Sequence, residues 1–463
     1  MNNEQKKFHL ANRITLGVTE KTLQDIEKLG IKKYIRSQLK PKSANYVIKP
    51  QRYNYLDLTV KEIFSEYFQP YIVERQKKPL SPEQKKTLSR QRHKFTRGAI
   101  GFKIINSINN PNQLQDLMTN FWFNHFNVFI NKQLIMQRFL IHHYEQKTIR
   151  PLALGNFKNL LTATVFHPSM LYYLDNWKND KPNSGRRGQR GLNENYAREL
   201  MELHTMGVDG GYTQADVISL AKILTGLTVF KAKTPPKSRQ KEGYVFDRRF
   251  HDFSDKVFLG QKIKGEGIAE IYKAIDILVS HPSTAKFISF KLAQHFVADQ
   301  PPNSLVNKMA KTFRRSKGEI PEVLNTLFSS QEFWDDKYYQ KKFKTPYEYV
   351  ISTLRLANIS KPKIKGVSNV LNSLDMLPYH RLTPDGYSNV KSAWLSSNSM
   401  INRVDFATDV SQGQLSSQTM INPYELTNLL KNYLSGNTLK VVSKSGNDER
   451  LAIILGSPDM MFK

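Results

Sequence analysis

Asn193-Glu-Asn-Tyr-Ala-Arg-Glu-Leu-Met-Glu-Leu-His-Thr-Met-Gly207 is the densest cluster of reactive side chains in the sequence. At about 100° per residue, a helix places Asn195, Arg198, Glu199 and Glu202 within one arc. Two carboxylates a turn apart can share a metal ion, or repel until one keeps a proton and becomes a general acid. Arg198 would then neutralise charge or clamp an anionic group, with Asn195 beside it. The plainer alternative is an ion pair of Arg198 with Glu202 on a solvated face. Tyr196, Leu200 and Leu203 share an apolar arc. His204 falls opposite the carboxylates, so the helix alone does not join it to them.

A second candidate is His125. It sits in an apolar stripe made by Leu114, Leu117, Met118, Phe121 and Trp122, where an imidazole must find a hydrogen-bond partner or a metal. A satisfied core histidine is the commoner outcome. If this helix packs on the first, His125 meeting Glu199 or Glu202 would make a histidine–carboxylate site. His251-Asp252 is a weaker candidate, because adjacency in sequence does not aim two side chains at one point. His142-His143 and His167-Pro168 read as surface or helix-start residues.

Several chemistries are excluded. There is no cysteine, which removes disulfides, thiolate nucleophiles and zinc–cysteine or cysteine-held iron–sulfur sites. No Walker A loop, G-x-G-x-x-G, G-x-S-x-G or H-E-x-x-H occurs. Cofactor identity and metal binding are both left open.

The elements that must position these residues read mostly as helices. Pro111 to Asn127 has helical apolar spacing, with Pro111 suited to the first turn. Glu194 to Met206 is capped by Asn193 and closed by Gly207. Thr213 and Asp216 form a capping box for a helix through Leu224, Pro282 opens one running to about Val297, and Thr345 with Glu348 boxes another. Leu227–Phe230 and Tyr244–Phe246 are short extended segments. The expectation is a mainly α protein, one large multi-helix domain over residues 1–463. Basic loop insertions are expected at 74–97, parts of which could be solvated helix, and at 180–191 and 231–243. No solenoid repeat is present.

The 463 residues carry 69 Lys+Arg against 40 Asp+Glu, a net charge of +29, with 39% hydrophobic residues. That apolar fraction supports a large core. The charge points to an anionic polymer as partner, or to drift in composition. Nucleic acid is disfavoured. Gly185-Arg-Arg-Gly-Gln-Arg-Gly191 is a generic phosphate contact, with no aromatic motif for base stacking. No stretch has the ~18 consecutive apolar residues of a membrane helix. The first residues show no secretory leader as written.

Taken together, the Asn193–Gly207 block and its continuation Val-Asp-Gly-Gly-Tyr-Thr213 resemble the signature of a large bacterial family known as domain of unknown function 1800. Further blocks agree in order: Phe121-Trp-Phe-Asn-His-Phe126, Arg150–Phe157, His167–Asp175, Leu224-Thr-Gly-Leu-Thr228, Phe250-His-Asp252, Lys256–Gly260, Phe343-Lys-Thr-Pro346 and Trp394-Leu-Ser396. His9–Gly17 and Leu455–Met460 look like the family's two ends. The resemblance implies one long helical domain in which His125, Asn195, Arg198, Glu199, Glu202 and His204 stand at signature positions. It implies that a metal site using position 123 would be incomplete, because Phe123 stands where many members show a polar residue or histidine. Members often carry a secretory leader, so location stays open.

Function has two readings at this level. In the first, the protein is an enzyme, with Glu199 and Glu202 as acid/base pair or metal ligands, His125 as base or ligand, and Arg198 with Asn195 binding the substrate. Hydrolysis or elimination on an envelope polymer or other anionic substrate is the reaction class. In the second, the protein is a non-catalytic helical module that binds anionic polymers or assembles with envelope proteins.

Overall fold

The computed structural model describes residues 1–41, 51–70, 78–132, 136–182, 191–230 and 243–463. The protein is mainly α, with two short β-hairpins among the described residues. Eight of the helices position the candidate residues and their partners: α1 (Asn3–Ile14), α2 (Pro82–Asn109), α3 (Gln113–His125), α4 (Asn195–Glu202), α5 (Gln214–Ile223), α6 (Ile268–Ser280), α7 (Pro282–Phe296) and α8 (Pro346–Leu356). Buried apolar side chains from Phe8 to Met461 form one continuous cluster, so both ends of the chain share its core.

Local capping sets most of these helices. Thr213 accepts from the Asp216 backbone while Asp216 returns to Thr213, and Thr345 and Glu348 repeat the exchange ahead of α8. The Asn193 side chain accepts from the Asn195 backbone at 3.0 Å, but Glu194 takes the cap position of α4 and makes no side-chain cap bond. Helix α4 is shorter than the periodicity suggests. It stops at Glu202, and wider turns, in which His204 and Met206 bond back to Glu199 and Met201, lead to Gly207 at φ 84°. Pro111 lies before α3 rather than in its first turn, and Asn112 takes the cap position.

The expected loop at 74–97 is corrected from Pro82 onward, where α2 begins. Ser81 and Gln84 make a capping box, Pro82 occupies the first turn, and Leu88 and Phe95 turn into the core. Its N-terminal half looks like a linker because only a narrow stripe of it is apolar, whereas Gly98 to Ile108 is buried throughout. Residues 183–190 and 231–242, which hold most of the other two basic insertions, lie outside the described residues.

Strands β1 (Leu227–Val229) and β2 (Tyr244–Phe246) pair antiparallel, with Leu227 opposite Phe246. A second hairpin, β3 (Lys256–Phe258) with β4 (Gln261–Ile263), was not expected. Its turn residues Leu259 and Gly260 both have positive φ, 46° and 75°. A two-residue turn of that kind usually carries Asn-Gly or Asp-Gly, and Leu259 hides the signal.

Buried polar bonds fasten the helices around His125. Arg13 of α1 is fully buried and donates to the carbonyls of Phe296 and Val297 at 3.0 and 2.9 Å, closing the C-terminus of α7. Asp116 of α3 pairs with Arg150 at 2.6 Å and accepts from Ser107 of α2 at the same distance. The Trp122 indole, also fully buried, donates to the Ala153 carbonyl at 3.0 Å. These bonds leave α3 surrounded by protein on nearly every side, with Asn120 and Asn124 its least buried members in the second half.

Candidate functional site

Helix α4 presents its polar residues to different partners. Arg198 does not pair with Glu202. It reaches back to Glu194 at 3.3 Å and donates to Gln214 of α5 at 2.8 Å. Asn195 is exposed and its amide donates to the Leu174 carbonyl at 3.1 Å. Glu202 accepts from the Tyr212 hydroxyl at 3.2 Å. Glu199 is partly buried. Burial and then the neighbouring Glu202 charge push its carboxyl up from the ordinary value, while Arg198 pulls it back.

His125 does pack against this region, but on the backbone. Its Nε2 lies 3.0 Å from the carbonyl of His204. A carbonyl only accepts, so Nε2 carries the proton and Nδ1 keeps its lone pair. Burial, then the nearby His204 and Lys291, holds this imidazole well below its ordinary pKa, in the neutral form. Thus α3 and α4 meet as a histidine–carbonyl contact rather than a histidine–carboxylate one. Among the described residues, no group of three or more His, Asp or Glu is placed to hold a metal ion. Phe123 packs edge-on against Tyr379, with ring centres 5.1 Å apart.

His125 opens onto a cleft of about 80 Å³ between α3, α7, the start of α8 and the 376–389 segment. Apolar walls come from Leu117, Phe121, Met376 and Tyr387, and polar groups from Asn120, Lys291, His295 and Glu348. Phe121 lies parallel to the His125 ring and also touches His295, at centroid distances of 6.4 and 5.3 Å. A smaller cavity of about 60 Å³, lined by Lys103, Phe123 and Tyr379, shares Asn120, Asn124, Tyr347, Met376 and Tyr387 with the cleft.

The outer wall is fixed by two asparagines of the Phe121–Asn127 stretch. Asn124 donates to the Tyr387 carbonyl at 2.8 Å and accepts from the Tyr387 amide at 2.7 Å. Asn127 donates to the carbonyls of Arg381 and Thr383. Gly386, at φ 74°, lets this wall approach, since a Cβ there would stand 2.2 Å from the Asn124 carbonyl oxygen.

Most polar groups of the cleft are already engaged. Glu348 bonds Lys463 through one oxygen and the Thr345 backbone and hydroxyl through the other. Burial alone would raise this carboxyl, but the Lys463 charge, His295 and those hydrogen bonds bring it down to about 2. Lys103 bonds Glu145 and Asn120. Lys291 differs. It has no hydrogen-bond or ion-pair partner among the described residues, and burial lowers its pKa against a weaker opposing pull from Asp385.

The weaker histidine candidates are structural. His251 is fully buried and meets Glu270, not Asp252, at 2.8 Å. His143 and His167 bond each other at 3.1 Å, and His167 caps the helix that Pro168 starts. Burial keeps His204 and His295 neutral, with pKa values of about 3. A histidine whose folded value lies below 6.5 protonates more readily in the unfolded chain, so stability falls as pH drops from about 6.5 toward 3. Each of these two is expected to remove about 2 kcal/mol between pH 7 and pH 5 by this linkage. Urea unfolding at the two pH values measures it, and equal midpoints would refute it.

Lys291, His295, Asn120 and Glu348 were not singled out by their sequence context. Lys291 and His295 stand four residues apart within the α7 run Phe287-Ile-Ser-Phe-Lys-Leu-Ala-Gln-His-Phe296, a cation and an imidazole on one helical side of an apolar segment, which was the available signal. Glu348 was legible only as a cap. No curated protein and no solved structure matches the chain. One family model, described as "Protein of unknown function (DUF1800)", matches residues 9–462. With nearly its whole length matched, the chain belongs to the DUF1800 family.

Proposed function

We propose that the protein is an enzyme whose reacting centre is the His125 cleft, with His125 as general base and Lys291 as the cation that receives an anionic substrate. The observation that carries this reading is the state of His125. Its Nε2 is committed to the His204 carbonyl, its Nδ1 is unpartnered among the described residues, and burial holds the ring neutral beside Lys291. A neutral imidazole of fixed tautomer is ready to take a proton. Hydrolysis or elimination on an anionic polymer, including an envelope polymer, remains the reaction class.

A second reading is a non-catalytic module for anionic polymers or envelope proteins. The contacts of Arg198 with Glu194 and Gln214, and of Asn195 with the Leu174 carbonyl, support a structural role for the signature helix. A third assignment gives the acid role to Glu199, supported by its raised carboxyl. One experiment separates them. Wild type, Glu199→Gln and Glu202→Gln proteins are incubated with a panel of anionic polysaccharides, reading new reducing ends for hydrolysis and unsaturated ends at 235 nm for elimination, an assay wavelength set by the product. Turnover retained within about tenfold by both variants fits the His125 cleft, whereas a loss on the order of 100-fold assigns acid–base work to the carboxylates. Binding of the polymers without turnover by wild type identifies the module.

A further inference from the structure

The cleft's chemistry narrows once the polar groups already in use are set aside. Asn124 is spent on the Tyr387 backbone, Glu348 on Lys463 and Thr345, and Tyr347 on Ser107 at 2.9 Å. The Tyr387 hydroxyl donates to the Leu377 carbonyl, the Asn389 amide lies against His295, and Thr345 donates to Glu348. Among the described residues, the lining side chains that keep an open position include three donors, the Lys291 ammonium, the Asn120 amide nitrogen, whose oxygen holds Lys103, and His295 Nε2, whose Nδ1 accepts from Asn389. Two are acceptors only, His125 Nδ1 and the side-chain oxygen of Gln294, whose amide donates to Asp299 at 3.1 Å. The Ser388 hydroxyl can act either way.

A cation and an amide donor suit one carboxylate. They do not suit a phosphate dianion, which one lysine leaves half neutralised while the Glu348 carboxylate also lines the cleft. Two spare acceptors suit hydroxyl groups. The walls of Phe121 and Tyr387, continuing into the Phe123 and Tyr379 cavity, suit the flat C–H faces of a ring.

We infer that the cleft recognises a cyclic sugar acid, its carboxylate on Lys291 and Asn120 and its hydroxyls on His125 and Gln294. This rests on the cleft being the reacting centre and names the kind of anionic substrate it takes. An open-chain hydroxy acid offers the same carboxylate and hydroxyls but no ring for the aromatic walls.

Titration calorimetry with D-glucuronate as probe tests the assignment. D-glucose, methyl D-glucuronate, D-gluconate and glucose 6-phosphate serve as comparisons. D-glucuronate is expected to bind at least about tenfold tighter than each of these, because each lacks the charge, the ring or the carboxylate. Lys291→Met, which keeps the side-chain stem, is expected to weaken D-glucuronate about tenfold or more, and Lys291→Arg to recover part of the loss. Unchanged thermal midpoints show that both variants are folded. Equal binding of glucose, or D-glucuronate binding that survives Lys291→Met, overturns the proposal. Tighter gluconate overturns the ring, and tighter glucose 6-phosphate overturns the carboxylate. The general-base reading fails separately. D-glucuronate that binds wild type and His125→Gln alike, with turnover unaffected by the substitution, sinks that reading and leaves this one standing. Turnover of another anion without D-glucuronate binding does the reverse.

Discussion

Replacing Glu270 with Ala is expected to destabilise the protein by about 3–5 kcal/mol, the range for removing one partner from a buried charged cluster. Glu270 of α6 has no solvent-exposed side-chain surface, and neither has His251, while Lys256 keeps 1%. One Glu270 oxygen meets His251 Nε2 at 2.8 Å and the Gly267 amide at 2.7 Å, and the other meets Lys256 at 2.6 Å. The second His251 nitrogen lies 2.8 Å from the Thr225 carbonyl. Both ring nitrogens therefore face acceptors. Burial pushes the Glu270 carboxyl up, but hydrogen bonds from His251, Lys256 and Gly267 outweigh it and hold the group below its ordinary value. Alanine would strip the buried Lys256 ammonium and the His251 ring of their shared carboxylate, leaving Lys256 with Asp252 at 3.9 Å. Glu270→Gln keeps the shape and loses the charge, so it too is expected to destabilise. Urea denaturation measures both, and a loss under about 1 kcal/mol for Glu270→Ala would show that the cluster is solvated or otherwise compensated.

That cluster also shows which features local sequence could reveal. His251 was visible as a candidate beside Asp252, yet its partner comes from a helix nineteen positions later (Glu270, 2.8 Å). The capping boxes at Thr213 and Thr345 were legible because both partners lie within one turn. The β3–β4 hairpin was not, because Leu259 takes a left-handed turn position usually filled by Asn or Asp. The N-terminal half of α2 was hidden by surface charge, since periodicity reads hydrophobic stripes and its stripe there is narrow. The same limit applies to function. His125 was legible as an imidazole in an apolar stripe. The reason it matters lies in tertiary packing, which brings the His204 carbonyl and Lys291 to it from α4's exit and from α7. The carboxylates of Glu199 and Glu202, conspicuous in sequence, are absent from the lining of the cleft.

The second large effect concerns His125 itself. General-base catalysis contributes typically about 10²–10⁴-fold, so His125→Gln should lower kcat by that factor on a polymer the wild type turns over. Glutamine can still donate an N–H to the His204 carbonyl, which keeps the α3–α4 contact, but it has no basic nitrogen. The wild-type pH dependence carries the same signature. Because burial, with His204 and Lys291 nearby, lowers the His125 pKa, the acid limb of kcat/KM should fall below pH 6.5. Because burial also lowers Lys291, the alkaline limb should fall below pH 10.5. In the variant, the acid limb should disappear with the base that causes it.

The most direct test is therefore the pH profile of kcat/KM for wild type and His125→Gln, on one anionic polysaccharide and with equal thermal midpoints confirmed. The cleft account predicts a drop on the order of 100-fold or more and the loss of the acid limb. A His125→Gln enzyme that keeps both its rate and its acid limb would contradict it.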